Sequence, residues 1–350
     1  MPLVLTEIRG SVGIATLNRP QALNALNEEM LLGLTDALQT FARDERVKAA
    51  ALRSASPRAF CSGGDIRAVR DRRGDDPFMD RIYRIEYELD YLIHGFPKPV
   101  VALVNGILMG GGCGISLHAR HRVATPDLVL AMPETGIGFF PDIGGSIFLS
   151  RLPDGIGTYL GMTGERLAAA EAMALGLIDA VADTGEHEVL LERLAEGMPA
   201  DAAVAALAPA PLPASDLSAL RERSRHFAAR SALDIVRTLE ADEDATSHAT
   251  AAALRSRAPF SLEVTARLIA DARYWQLRDA LAIDFRVAQR FMKRGDYFEG
   301  VRAVLVDRDG HPAWDPSRLE DVDPAEVEAC FTPLDAPELW PLSSTFGGAH

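Results

Sequence analysis

Hydrophobic and polar positions in the first 125 residues follow strand and helix patterns in turn. Residues 3–17 alternate and are interrupted at Arg9-Gly10-Ser11, which predicts a hairpin. Apolar residues then recur at helical spacing from Met30 to Phe41, and Asn27 precedes them as a candidate N-cap. Because strands and helices follow one another in this way, this part of the chain predicts an α/β core.

The pattern changes in the second half of the chain. Residues 162–172 carry strong helix formers and predict one helix. Residues 208–213 alternate small residues with proline, which predicts a semi-rigid connector, and helical patterns dominate from Ser261 onward. The sequence therefore predicts two parts, an α/β core over 1–207 and a helical C-terminal region over 208–350.

Two glycine-rich turns each lead from a predicted strand into a predicted helix. Gly110-Gly111-Gly112 follows the apolar strand 100–104, and Gly63-Gly64 follows the strand 49–54, with Asp65 available to cap the next helix. Backbone N–H groups at such helix starts suit a negative or developing-negative oxygen. The two turns therefore predict two donors that hold one oxygen from two sides. The Gly110-Gly111-Gly112 turn has no P-loop, GxGxxG or GxSxG pattern.

Two acidic residues follow the second glycine turn on loops, where catalytic groups are commonly placed. Glu134 comes just after the strand pattern of residues 128–132, and Asp142 lies eight positions further on. Glu134 also fits a solvated acid at a strand end, and Asp142 fits a helix N-cap. The apolar neighbours Phe139, Phe140 and Ile143 would raise the pKa of a carboxyl group that shared their pocket.

Four motifs in this order resemble the crotonase (enoyl-CoA hydratase/isomerase) superfamily. They are NRPQALNAL at 18–26, AFCSGGDI at 59–66, KPVVALVNG with MGGG at 98–112, and MPETGIGFFPDIGG at 132–145. The resemblance implies a core of repeated ββα units wound as a spiral, followed by a helical C-terminal region. It also implies that the N–H groups of Gly64 and Gly111 hold a thioester oxygen. Coenzyme A would contact Ser62, Gly63, Asp65, Ile66 and Gly110.

The reaction depends on which acids are present. Hydratases of this family resemble one another in carrying a glutamate where this chain has Gly114, and glycine cannot exchange a proton. With Glu134 and Asp142 as the remaining pair, the chain resembles the branch that hydrolyses 3-hydroxyisobutyryl-CoA in valine breakdown. Glu134 would then act as nucleophile or general base, and Asp142 would position the substrate hydroxyl or assist proton transfer. An enoyl-CoA isomerase that uses Glu134 alone and a non-catalytic acyl-CoA-binding protein stay open as alternatives.

Composition and net charge limit the kinds of molecule that the protein is expected to bind. The chain has 350 residues, 48% hydrophobic and 25% charged, with a formal net charge of −14. This charge argues against nucleic acid and against an anionic membrane as partners. Coenzyme A is itself polyanionic, so that local basic groups are needed, and Arg67 and Lys98 are candidates. We expect acyl-CoA as the partner and no cofactor beyond the CoA of the substrate.

The remaining residue types indicate little further chemistry. Cys61, Cys113 and Cys330 lack metal-like spacing and are expected as buried fillers in a reducing compartment. The eight histidines form no metal motif, so no metal site is expected. Without a targeting or membrane-spanning pattern, the sequence predicts a cytoplasmic location for a bacterial protein. The family resemblance is also consistent with a homo-oligomer.

Overall fold

The computed structural model describes residues 1–215 and 217–340. The strands within this part of the chain are β1 (Val4–Arg9), β2 (Val12–Leu17), β3 (Ala49–Ser54), β4 (Ala59–Cys61), β5 (Val100–Val104), β6 (Ile107–Met109), β7 (His121–Ala124), β8 (Val129–Ala131), β9 (Leu167–Ala168) and β10 (Ala180–Val181).

The helices of the first 207 residues are α1 (Glu28–Arg43), α2 (Ile66–Arg70), α3 (Asp76–His94), α4 (Gly111–Leu117), α5 (Gly145–Ser150), α6 (Ile156–Thr163), α7 (Ala169–Ala174), α8 (Thr184–Ala195) and α9 (Ala200–Ala205). The later helices are α10 (Ser218–Ser224), α11 (Ala232–Ala241), α12 (Ala245–Arg255), α13 (Pro259–Asp271), α14 (Leu277–Phe291), α15 (Asp296–Val301) and α16 (Pro324–Phe331).

From β3 to β8, successive strands alternate between two sheets. The larger sheet has the order β1-β2-β3-β5-β7-β10, and the smaller sheet has the order β4-β6-β8-β9. The pairs β3/β4, β5/β6 and β7/β8 each give one strand to each sheet, and within each sheet the strands that they contribute run parallel to one another. This arrangement is the predicted spiral of repeated ββα units. The predicted N-terminal hairpin is present as the antiparallel pair β1 and β2.

The central strands of the larger sheet are buried on both faces, as parallel sheets usually are. Val101 and Leu103 of β5 pack with Leu190 and Leu194 of α8 on one face. Val100 and Val104, which alternate with them, belong to the main hydrophobic core on the other face. The short apolar runs of the sequence therefore form strands in which both faces are buried.

Two local predictions have different outcomes. Asn27 caps α1 as predicted, since its side chain accepts a hydrogen bond from the Met30 N–H. The single helix predicted over 162–172 is wrong, because α6 ends at Thr163 and β9 intervenes before α7. Gly164 has a φ of 63° and ends α6 in a left-handed conformation.

The C-terminal helices pack onto the core that carries the glycine turns. Phe285 and Phe291 of α14 are buried in the same hydrophobic cluster as Phe139 and Phe140. Residues 208–215, in the predicted connector, form neither helix nor strand. The boundary between 207 and 208 stays a prediction.

Candidate active site

Both glycine turns follow strands of the smaller sheet and meet each other. Gly63 lies just after β4 with a φ of 109°, and Gly110 lies just after β6 with a φ of 49°. A Cβ on Gly63 would lie 3.4 Å from the Met109 carbonyl oxygen and 3.7 Å from Gly110 Cα. The two turns are therefore in van der Waals contact, which two glycines without side chains permit.

The predicted oxygen-binding groups lie within these turns. Gly64 donates its N–H to none of the residues that the structure describes. Gly111 is the first residue of α4, so its N–H has no acceptor one helical turn earlier. Both groups are thus free to donate to one ligand oxygen, although the roles of Gly64 and Gly111 stay predictions.

The Ser62–Ile66 loop is fixed by its own residues. The Ser62 N–H donates to the Leu23 carbonyl. Asp65 caps α2 by accepting from the Ala68 N–H, and it pairs with Arg19 at 2.7 Å. These contacts explain a rigid loop, and contact of Ser62, Gly63, Asp65, Ile66 and Gly110 with coenzyme A stays a prediction.

Glu134 is buried at the third neighbouring strand end. It begins a 3₁₀ turn three residues beyond the end of β8, and only 7% of its surface is exposed, so it is not a solvated strand-end acid. A Cβ on Gly110 would lie 2.9 Å from Glu134 Oε1. Because Gly110 has no side chain, the carboxyl group of Glu134 fits beside the turn that is predicted to bind the oxygen.

Asp142 is buried in the same region and does not cap a helix. The N-cap of α5 is Gly144, and its N–H donates to Asp284 at 2.7 Å. The carboxyl group of Asp142 instead accepts a 2.6 Å hydrogen bond from the hydroxyl of Tyr87. The adjacent Ile143 has a φ of 57°, a strained conformation for a β-branched residue that is typical of functional loops.

Helix α3 adds a third carboxyl group that the sequence reading missed. Glu86 is buried, and a Cβ on Gly111 would overlap its Oε1 atom. Tyr83, Glu86, Tyr87 and Asp90 lie at helical spacing on the buried face of α3. Two acids on an otherwise apolar helical stripe were a signal in the sequence that could have identified them.

Asp90 lies directly against Gly114, the position where the family resemblance implies a glutamate in hydratases. It is completely buried, and neither of its carboxyl oxygens has a hydrogen-bond partner among the described residues. A Cβ on Gly114 would lie 2.7 Å from both oxygens and 2.9 Å from Cγ. Any side chain at position 114 would thus overlap Asp90.

Burial and mutual repulsion determine the protonation of these acids. Burial raises the pKa of Glu134 well above the usual range, and the charge of Asp142 raises it further. Burial likewise raises the pKa of Glu86 and of Asp142, and the hydrogen bond from Tyr87 opposes the rise for Asp142. Burial also raises the pKa of Asp90. Neighbouring buried carboxyl groups cannot all ionise together, so the site retains protons at neutral pH.

One cation from the C-terminal part approaches Glu134. Arg257, between α12 and α13, donates to Thr135 Oγ1 at 3.0 Å and to the Thr163 carbonyl. Its charge lowers the pKa of Glu134, against the larger effect of burial. Nothing near Arg257 in the sequence indicates this contact, because it joins residues 122 positions apart.

Other candidate residues lie in structural roles. Cys61 and Cys113 are buried, and burial raises the pKa of Cys61 to about 12, so that its thiol is unreactive. Lys98 donates to the carbonyls of Phe41 and Asp44 and fastens the end of α1, so its role as a CoA ligand is not supported. Among the described residues there is no group of three or more metal-binding side chains.

The fold and the paired N–H donors beside buried carboxyl groups define a class of enzymes that act on an acyl group through its carbonyl oxygen. Residues 12–331 match the family model described as enoyl-CoA hydratase/isomerase, and the chain belongs to this family. The crotonase fold is confirmed by a crystal structure of an enoyl-CoA hydratase from Rhodobacter sphaeroides 2.4.1. That structure is 34% identical, has a TM-score of 0.89 and covers 97% of this chain and 99% of its own.

Two curated relatives carry the name of a hydrolase. The mitochondrial 3-hydroxyisobutyryl-CoA hydrolase of Danio rerio is 38% identical over 347 residues, which cover 96% of this chain and 91% of the relative. The 3-hydroxyisobutyryl-CoA hydrolase 1 of Arabidopsis thaliana is 38% identical over 344 residues, 94% of this chain and 91% of the relative.

The cytoplasmic location predicted from the sequence is wrong by this comparison, since the Danio rerio relative is named as mitochondrial. The sequence reading relied on the absence of a targeting pattern, and that absence does not identify a compartment. None of the described helices has the length and apolar character needed to span a membrane.

Proposed function

We propose that this protein hydrolyses short 3-hydroxyacyl-CoA thioesters, above all 3-hydroxyisobutyryl-CoA, to the free acid and coenzyme A. The names of the curated relatives support the hydrolase reaction over hydration. The observation that carries the proposal is the contact between Gly114 and Asp90, since it leaves α4 without a carboxylate for hydration by two glutamates. Such a reaction belongs to valine degradation.

The chemistry starts at the thioester carbonyl. Its oxygen accepts hydrogen bonds from the N–H groups of Gly64 and Gly111, which stabilise the negative charge that develops during attack. Ionised Glu134 either attacks the carbonyl carbon or removes a proton from a water molecule that attacks it. Direct attack gives a mixed anhydride that water then cleaves, and both routes give the same products.

The bond that breaks is the C–S bond. Sulfur leaves as a thiolate and takes up one proton, while the oxygen of water remains in the new carboxylic acid. The site contains carboxyl groups with raised pKa values, and these are suited to supply that proton. Asp142 accepts a hydrogen bond from the Tyr87 hydroxyl. In this mechanism it binds the 3-hydroxyl group or assists the proton transfer.

The test is thiol release from (S)-3-hydroxyisobutyryl-CoA by the purified protein. Glu134→Gln should reduce the rate by about 10²–10⁴-fold, because a neutral amide neither attacks nor accepts the proton. Glu45→Gln is the matched control, since Glu45 is exposed in the loop after α1 and should leave the rate unchanged.

Parallel assays of crotonyl-CoA hydration and of enoyl-CoA isomerisation separate the alternatives. Either of these activities without thiol release would replace the hydrolase proposal with a hydratase or an isomerase using Glu134. Binding of acyl-CoA without any turnover would indicate a non-catalytic protein. Unchanged hydrolysis by the Glu134→Gln variant would remove Glu134 from the mechanism.

A further inference from the structure

The peptide group between Ile143 and Gly144 follows directly after Asp142, and two side chains bind it. Its N–H, on Gly144, donates to Asp284 Oδ2 at 2.7 Å. Its carbonyl oxygen, on Ile143, lies 2.7 Å from His118 Nε2. Asp284 belongs to α14, and His118 is the residue that ends α4. Both ends of one peptide group are thus bound by side chains from distant elements, and this pair, His118 and Asp284, is called the peptide clamp below.

The backbone at this peptide group has a conformation that needs support. Ile143 and Gly144 have φ values of 57° and 70°, so that two successive residues are left-handed. A β-branched residue rarely adopts this conformation, and it persists only where the surrounding contacts fix it. A Cβ on Gly144 would overlap the side chain of Leu277 in α14. The turn is therefore pressed against α14 and held there by the clamp.

His118 acts in this contact as a hydrogen-bond donor. A carbonyl oxygen can only accept, so Nε2 of His118 carries the proton. Burial lowers the pKa of His118 to about 4, and the ring is therefore neutral at neutral pH. The ring lies beside those of His94 and Phe148, with centroid distances of 6.4 and 6.3 Å. These neighbours help to keep the donor directed at Ile143.

Asp284 is an unusual residue for its place on α14. The other buried residues of this helix are apolar: Leu277, Ala280, Leu281, Phe285, Val287, Ala288 and Phe291. Asp284 is completely buried, and its Oδ1 has no hydrogen-bond partner among the described residues. Burial raises its pKa well above the usual range, against the effect of the Gly144 N–H. A buried acid with one partner is costly for folding, so its contact with Gly144 points to a role beyond packing.

The clamp acts on the residue that carries a carboxyl group of the site. The carboxyl group of Asp142 accepts from the Tyr87 hydroxyl of α3 at 2.6 Å. The next peptide group along the chain is the one that the clamp binds from α4 and α14. Helix α4 also begins with Gly111, the predicted oxygen donor. The side chain and the backbone of the Asp142 turn are therefore fixed from three helices.

We propose that His118 and Asp284 are positioning residues for the hydrolysis, because they hold the peptide group that sets the direction of the Asp142 carboxyl group. The proposal rests on the proposed function in giving Asp142 a part in the reaction. A displacement of about 1 Å at a reacting group can reduce a rate by about 10²-fold. Two hydrogen bonds to the neighbouring peptide group are thus sufficient to affect turnover.

The first experiment breaks and restores each contact of the clamp. Asp284→Ala removes the acceptor and His118→Leu removes the donor, and each should lower kcat/KM for 3-hydroxyisobutyryl-CoA by about tenfold or more. Asp284→Asn and His118→Gln keep an acceptor and a donor, and they should recover most of the loss. Glu263→Ala is the matched control, since Glu263 of α13 accepts from the Leu233 N–H at 2.8 Å outside the clamp. This control should stay within about twofold of the unmodified protein.

The second experiment separates positioning from a general loss of structure. Asp284→Ala and His118→Leu are each combined with Asp142→Asn. If the clamp acts through Asp142, either substitution should lower the residual kcat/KM of Asp142→Asn by less than about twofold. If Asp284→Ala does not fold, as judged by circular dichroism, His118→Leu releases the same peptide group from its other end. Losses that multiply in the double variants, or no loss in the single ones, would overturn the proposal.

A structural measurement keeps the outcome separate from that of the proposed function. If the unmodified protein releases no thiol, the hydrolase proposal fails, and crystal structures of the variants test the clamp. The distance between Asp142 Oδ2 and the Tyr87 hydroxyl is 2.6 Å. It should stay within hydrogen-bond range in Asp284→Asn and exceed about 3.5 Å in Asp284→Ala and His118→Leu. An intact hydrogen bond in these last two variants would show that the clamp does not position Asp142.

Discussion

The contact between Asp90 and Gly114 leads to a prediction about stability that does not depend on the reaction. In Gly114→Ala the new Cβ would lie 2.7 Å from both carboxyl oxygens of Asp90, well inside van der Waals contact. Asp90 is completely buried, so its carboxyl group has no solvent into which to move. Overpacking of this kind costs about 1–3 kcal/mol of unfolding free energy.

The same substitution should have the opposite effect once Asp90 is shortened. In the Asp90→Ala background the overlapping carboxyl group is gone, and alanine replaces glycine inside α4. That exchange favours a helix by about 1 kcal/mol. We therefore expect a coupling free energy between the two positions of about 1–3 kcal/mol in a double-mutant cycle.

The cycle is measured by urea unfolding at pH 7, followed by circular dichroism for the four proteins. Gly185→Ala provides a matched control, because Gly185 lies in α8 and a Cβ there would have no atom within 4 Å. The reasoning is refuted if Gly114→Ala destabilises both backgrounds equally, or if it stabilises the protein while Asp90 is present.

Three further predictions concern proton binding. Tyr87→Phe removes the hydrogen bond that stabilises ionised Asp142, so its apparent pKa in the pH profile of kcat/KM should rise; superimposable profiles would contradict this. Arg257→Gln removes the cation that lowers the pKa of Glu134, so the acidic limb should move to higher pH, and an unmoved limb would count against Glu134 as the ionised group. Glu86 holds its proton in the folded state at pH values where the unfolded chain has lost it. Its stabilising contribution is therefore complete below about pH 4 and falls as the pH rises through the raised pKa. Glu86→Gln should lose less stability than the unmodified protein in urea unfolding between pH 5 and pH 9, whereas parallel curves would exclude this.

The sequence predicted those features that depend on neighbours along the chain. Asn27 precedes its helix, and the glycines of both turns lie next to the strands and helices that they join. Such local signals indicate a defined geometry, because a cap forms its hydrogen bond within three residues and a left-handed turn favours glycine. The prediction of one helix over 162–172 failed at one such glycine, Gly164, which ends α6 in a left-handed conformation.

The sequence could not place the residues that reach the site from distant elements. Arg257 approaches Glu134 from the C-terminal part, and α14 supplies Asp284. Glu86 and Asp90 lie closer in sequence, yet their contact with Gly111 and Gly114 depends on the packing of α3 against α4. The direction of a helix face toward a particular neighbour follows from tertiary packing, which a single sequence does not contain.

The strand spacing of the smaller sheet determines how far apart the groups at the site lie. Gly64, Gly110 with Gly111, and Glu134 come after β4, β6 and β8, which are three successive neighbours in that sheet. Neighbouring parallel strands are about 4.8 Å apart. Each ββα unit therefore places the group at its strand end one strand spacing further along the sheet. Strands β4 and β6 are followed by backbone N–H donors, which any sequence with these glycines supplies. Strand β8 is followed by a side chain. A related protein with this fold could change the reaction by changing the side chain after the third strand, while the proposed donors to the carbonyl oxygen stay the same.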